Sequence, residues 1–176
     1  MAERNATEPM VFRPMAPADA DAAVGLVRRV FDAFVAPQYG PQGIATFREF
    51  VCADAMAARL AAGHFAIVAE SGAAIVGVIE VRDNRHIALL FVAAPHQRRG
   101  IARRLFRQAA TICRQRDPQL DGITVNASPN ALTAYRRLGF EATEDEKTVN
   151  GIRFVPMAFA FAPTGAVPAL RAVAES

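Results

Sequence analysis

The run Gln97-Arg98-Arg99-Gly100-Ile101-Ala102, set directly after the apolar stretch Ile87-Ala88-Leu89-Leu90-Phe91-Val92, constrains this chain more than any other feature. It reads as a strand, a basic turn built around glycine, and a helix opening with Ile101, Ala102, Arg103, Arg104 and Leu105. The first amides of a helix have no internal partners, and the summed peptide dipoles leave partial positive charge at that end. A turn that aims several such N–H groups at one point makes an anion site matched to phosphate. Gly100 lets the backbone approach a ligand, since no Cβ intervenes and unusual φ/ψ costs little there. Arg98, Arg99, Arg103 and Arg104 add positive charge, and a guanidinium can hold phosphate bidentately. Taken alone, such a hexapeptide is a weak signal, because a solvated arginine-rich helix start is spelled the same way.

The neighbours sharpen it. Further along stand Val125-Asn126-Ala127-Ser128-Pro129-Asn130-Ala131 and then Tyr135-Arg136-Arg137-Leu138-Gly139-Phe140. The order strand, Q-R-R-G-I-A, helix, strand, N-x-x-A-x-x-x-Y-x-x-x-G-F resembles the GNAT superfamily of acyl-CoA-dependent N-acetyltransferases. The resemblance covers roughly residues 11 to 161 and is specific from His86 to Phe140. One departure is Ala102, where the family pattern commonly has glycine; alanine is a strong helix former, so the helix is retained.

The resemblance implies a single α/β domain. Its mixed, mostly antiparallel sheet would have about seven strands, flanked by about four helices and splayed between strands four and five. It implies acetyl-CoA as cosubstrate, with the diphosphate on Gln97, Arg98, Arg99, Gly100, Ile101, Ala102 and Arg103. The pantetheine arm would lie along Leu90, Phe91 and Val92, with Asn126 at the splay and Asn130 beside the diphosphate or the arm. An amide of Phe91 or Val92 pointing into the gap is the natural oxyanion donor. Tyr135 falls where the family places a proton donor to the leaving thiolate. A phenol of pKa near 10 is a plausible partner for a thiol near 8.5.

Acetyl transfer also needs an uncharged nitrogen. A lysine-like amine of pKa near 10.4 is neutral in only about one molecule in 10³ at pH 7, a penalty of roughly 4.6 kcal/mol. His86 stands where the family often places its base, and imidazole titrates near neutrality, where a general base works best. Strict alternation would put His86, Ala88, Leu90 and Val92 on one face. Glu80 is the second candidate, since a carboxylate between Ile79 and Val81 needs a reason; the plain alternative is that alternation turns it to solvent. His64 and His96 have weaker claims.

Composition fits this picture. The 176 residues suit one domain, 52% of them are apolar, and the net charge is +3. No window holds eighteen apolar residues without charge, so a membrane span is not expected. The first residues lack the pattern of a secretory signal, which makes a cytoplasmic protein the plain expectation. Cys52 and Cys113 are too few for a disulfide framework or a metal site, and Cys113 reads as a core thiol. The arginine cluster carries no interleaved aromatics to stack bases, which argues against nucleic acid as partner. A homodimer is left open.

Residues 1–10 read as a flexible leader, 11–161 as the domain, and 162–176 as a flexible tail. A strand over 11–15 is followed by a helix capped by Asp19 or Asp21, with Val24, Val27, Val30, Phe31 and Phe34 at helical spacing. A second helix is expected from Ile44 or Thr46 to Leu60. Strands over 65–69, 75–81 and 86–92 then lead to a helix from Ile101 to about Arg116. A strand over 123–125, a short helix from Asn130 to Leu138, and a hairpin around Asn150-Gly151 complete the domain. Family geometry places the amine acceptor between the loop 34–42 and that hairpin, where Tyr39, Phe34 and Phe47 could line it. Glu141, Glu144, Asp145 and Glu146 could attract a cation there. The expected function is acetyl-CoA-dependent transfer to a primary amine, small molecule or peptide, by direct attack in a ternary complex. The alternative is a catalytically idle acyl-CoA-binding sensor that keeps the basic turn but needs neither His86 nor Tyr135.

Overall fold

A computed structural model describes residues 9–163. Two sheet faces, each covered by helices, organise them. The strands are β1 (Met10–Pro14), β2 (Phe65–Ser71), β3 (Ala74–Arg82), β4 (His86–Val92), β5 (Gly122–Ala127), β6 (Glu141–Ala142), β7 (Lys147–Val149) and β8 (Ile152–Ala160). The helices are α1 (Ala20–Phe34), α2 (Pro41–Phe50), α3 (Ala53–Ala61), α4 (Ile101–Arg116) and α5 (Leu132–Leu138). Strand order is β1-β2-β3-β4-β5-β8-β6, with β7 paired to β8. Every neighbouring pair is antiparallel except β4–β5.

The expected mixed, splayed architecture is present, with eight strands and five helices among the described residues. The extra helix arises because the stretch expected as one helix breaks at Val51-Cys52. Val51 is fully buried and leaves helical geometry at ψ 74°, and Arg28 Nε donates to its carbonyl at 2.8 Å. The first half starts earlier than expected because Pro41 suits the first helical position, where its missing N–H has no partner to lose. The leader and tail lie outside the described residues apart from 9–10 and 162–163, and Met10 already belongs to β1.

On one face, α4 buries Ile101, Leu105, Phe106, Ala109, Ala110 and Cys113 against β2, β3 and β4. Each large side chain so buried stabilises the fold by roughly 1.5–3 kcal/mol. The helix lies close because Gly77 offers no side chain: a Cβ there would stand 3.1 Å from both Ile101 Cγ2 and Leu105 Cδ1. Its far end is capped by the β3–β4 turn, where Asn84 Nδ2 donates to Cys113 O at 2.9 Å. On the other face, Val24, Leu26, Val27 and Val30 of α1 pack with Val51, Met56, Val68, Val78 and Leu89. No helix among the described residues is long and apolar enough to cross a membrane.

Candidate active site

The ladder between β4 and β5 consists of two pairs, His86↔Thr124 and Ile87↔Val125. Beyond them β4 stays with β3 as far as Val92↔Gly77, while β5 stays with β8 as far as Ala127↔Val155. A gap therefore opens at Asn126 and runs along β4 for about 16 Å, given 3.3 Å per residue from Ile87 to Val92. Ala93 N donates to Val76 O at 2.8 Å. Alternate amides of a strand point the same way, so Phe91 N faces β3 while Leu90 N and Val92 N face the gap. Of the two expected oxyanion donors, only Val92 is oriented for that task.

At the open end stands the basic turn. Gly100 caps α4 in the left-handed region at φ 77°, and Arg98 is left-handed at φ 62°. The first bond into the helix is Arg104 N to Gly100 O at 3.0 Å. The amides of residues 98 to 103 therefore donate to no group among the described residues. Space around Gly100 is open, with nothing within 4 Å of where a Cβ would stand. These amides fit a diphosphate. Arg98 and Arg99 are exposed beside them, with no ion-pair partner among the described residues. Other expected contributors are already occupied. Gln97 Nε2 donates to Val92 O at 3.0 Å, which ties the turn to the end of β4. Arg103 Nη2 reaches Arg137 O at 3.3 Å, and Arg104 lies over the Phe12 ring, 4.3 Å from its centroid. Asn130 Oδ1 accepts from Ser128 Oγ at 2.8 Å, and Asn126 is exposed at the mouth of the splay.

Tyr135 is 8% exposed, in the α4-side core with Val92, Ile101 and Ala127. Its ring meets Phe140 edge-on at 5.4 Å. Burial pushes its phenol well above the usual value of 10. His86 sits at the closed end of the gap with Nδ1 2.8 Å from Thr124 Oγ1. Two expectations about it are corrected. A bulge at Ala88, between the pairs Glu80↔Leu89 and Val81↔Ile87, breaks the alternation. Ile87, Leu90 and Val92 therefore face α4, while Leu89 and Phe91 face α1. His86 joins Thr124 on the α1 face, opposite Tyr135. Burial, with Arg82 nearby, also lowers the imidazole from 6.5 to about 4, so it is neutral at pH 7 rather than poised there.

Glu80 is neither free nor turned to solvent. It is 0% exposed, and its oxygens accept from Arg59 Nε at 2.7 Å and Arg59 Nη2 at 2.9 Å. His64 Nδ1 lies 2.7 Å from Oε1. Arg59 and His64 were not legible as its partners; the one signal was an acid in an apolar run.

On the acceptor side, Phe47 stacks on Phe31 with centroids 3.8 Å apart and reaches Phe91 at 6.0 Å. Tyr39 meets Phe31 edge-on, and its hydroxyl donates to Arg153 O at 2.8 Å. Phe34 is 43% exposed. In the acidic run, Glu144 pairs with Lys147 and Glu146 with Arg153, so two of the four carboxylates are already engaged. Among the described residues, no group of three or more His, Cys, Asp or Glu could hold a metal ion.

A sheet opened between two parallel strands, with unbonded amides at the end of the opened strand, gives an elongated slot with an anion site at its mouth. The chain belongs to the GNAT acetyltransferases: residues 35–161 match the acetyltransferase (GNAT) domain. The cosubstrate of this domain is acetyl-CoA. The fold is similar to a GCN5-related N-acetyltransferase, "Aminotransferase, Class-II", from Rhodopseudomonas palustris. The two share 21% identity at a TM-score of 0.74, over 90% of this chain and 99% of that one. It is also similar to the PaiA N-acetyltransferase of Thermoplasma acidophilum, solved with coenzyme A, at 14% identity, TM-score 0.71, and 87% and 99% coverage. A GNAT acetyltransferase of Brucella melitensis, solved with acetyl-CoA, shares 20% identity at TM-score 0.60, covering 89% and 90%. No curated protein matches the chain in sequence.

Proposed function

We propose that the protein transfers an acetyl group from acetyl-CoA to a primary amine by direct attack in a ternary complex. The observation that carries the cosubstrate half is the row of undonated amides from 98 to 103, at the end of a strand whose Leu90 and Val92 amides face an open gap. Acetyl-CoA supplies an activated acyl thioester. Residues 97–103 hold its phosphates, with Arg98 and Arg99 supplying positive charge. Leu90, Phe91 and Val92 line its arm, and Asn126 and Asn130 border the mouth. The Val92 N–H, or Leu90 N–H deeper in the gap, stabilises negative charge on the reacting oxygen.

Tyr135 is the proton donor to the departing sulfur, and burial keeps it protonated across the working pH range. His86 accepts the amine proton, directly or through water. With its pKa lowered to about 4 it lies roughly six units below a lysine-like amine, so transfer must be concerted with attack or the amine must be weakly basic. Orientation in the gap contributes the rest, since positioning alone can lower a barrier by several kcal/mol. Glu80 is not assigned the base role, because both its oxygens are occupied.

The test is thiol release from acetyl-CoA with benzylamine, spermidine, lysine, kanamycin and a peptide with a free α-amine. Turnover with at least one amine, with the acetylated product seen by mass spectrometry, is expected. Slow hydrolysis with all of them supports the idle sensor instead.

A further inference from the structure

Only Gly43 is buried among the ten residues of α2, and an isolated helix of that length is not stable in water. Apolar burial is therefore small and rests on the part-buried Phe47 ring stacked on Phe31. Its last carbonyls, which lack helical partners, are bound by two arginines from other elements. Arg28 of α1 donates to Arg48 O at 3.2 Å and Val51 O at 2.8 Å. Arg59 of α3 donates from Nη1 to Phe50 O at 2.6 Å and lies 3.8 Å over the Phe50 ring. The other two donating nitrogens of Arg59 are fixed by the buried carboxylate of Glu80. One guanidinium plane thus bolts the C-terminus of α2 to the central strand β3.

What α2 carries makes that bolt matter. Phe47 bridges Phe31 and Phe91 of the opened strand. Thr46 Oγ1 donates to Asn150 O at 2.9 Å. Gly43 packs so tightly on the β7–β8 hairpin that a Cβ there would stand 2.2 Å from Gly151 O. The helix stands between the gap and the hairpin, and on the acetyl-transfer reading the acceptor enters there.

We propose that Glu80 and Arg59 are positioning residues for the amine acceptor: Glu80 orients Arg59, and Arg59 with Arg28 clamps α2 against the opened edge of β4. This rests on the acetyl-transfer reading above. A lysine at 59 would keep the charge opposite Glu80 but could not aim three donors in a plane.

The experiment pairs Arg59→Lys and Arg28→Lys with the wild type in two measurements. In amide hydrogen exchange, residues 44–52 should exchange about tenfold faster or more in each variant, while 101–116 of α4 are unchanged. In kinetics with the best amine of the panel, its KM should rise roughly five- to tenfold, with KM for acetyl-CoA within about twofold. Unchanged exchange in 44–52 in both variants overturns the clamp. Faster exchange with unmoved amine KM overturns the positioning role. Glu80→Gln separates positioning from base catalysis: positioning raises amine KM with the pH profile kept. A flattened profile with amine KM intact would make Glu80 the base and sink the proposal. If the wild type turns over no amine, the transfer reading fails, while the exchange measurement still decides the clamp.

Discussion

Replacing Tyr135 by phenylalanine removes one oxygen from a residue whose hydroxyl has no hydrogen-bond partner among the described residues. No donor or acceptor is orphaned, and the ring keeps its contact with Phe140. Stability should therefore change by no more than about 1 kcal/mol. Turnover should behave differently. A positioned general acid is worth about 10²–10⁴ in rate, or roughly 2.7–5.5 kcal/mol of barrier. The raised phenol pKa does not disqualify it, because the same desolvation raises the pKa of a thiol brought beside it. Stopped-flow thiol release should show kcat lower by that factor, and calorimetry should show acetyl-CoA affinity within about twofold of wild type. Alkaline unfolding supplies a control. A phenol with a raised folded pKa contributes stability that is full below the unfolded value near 10 and is lost as pH climbs above it. The wild type should lose about 1.4 kcal/mol per pH unit in that range, and Tyr135→Phe should lose less. Turnover within twofold of wild type would refute the acid role and leave Tyr135 as a core aromatic.

For the cradle, Arg98→Ala and Arg99→Ala should each weaken acetyl-CoA binding by about 1.5–3 kcal/mol with little change in melting temperature, read by calorimetry and thermal denaturation. Gly100→Ala meets no neighbour, so its cost should be the left-handed φ, about 1–2 kcal/mol of stability measured by denaturant titration. His86 has a folded pKa lowered to about 4, so the unfolded chain takes up its proton first. Stability should fall as pH drops from about 6.5 towards 4, less so in His86→Gln, and kcat/KM should show no His86 inflection near neutrality. Gly43→Ala drives a methyl into the Gly151 carbonyl and should separate α2 from the hairpin. Its signature is a raised amine KM with acetyl-CoA affinity retained.

Features set by contiguous residues were legible beforehand. The helix from Ile101 to Arg116, the turn at Gly100 and the hairpin at Asn150-Gly151 occur where local chemistry puts them. So do the strands around the gap, because alternation, glycine and proline act over a few residues. Pairings across long separations were not legible. Arg59 and Glu80 are 21 apart, and His86 and Thr124 are 38 apart. Nothing local in the run Ile79-Glu80-Val81 says whether the carboxylate meets water or a guanidinium.

The bulge at Ala88 shows the same division within one strand. The apolar letters of 87–92 determined that a strand forms, and Gly100 after it determined a left-handed turn into α4. Which face His86 takes was decided by one unpaired residue against β3, since a single-residue shift inverts every side chain before it. Burial then lowered its pKa, a property of surroundings assembled from several elements. Sequence alone determined the turn at Gly100 with its unbonded amides, because backbone amides and glycine act where they stand. Tertiary structure decided the surroundings of His86, Glu80 and α2, because pKa, orientation and contacts depend on groups that only folding brings together.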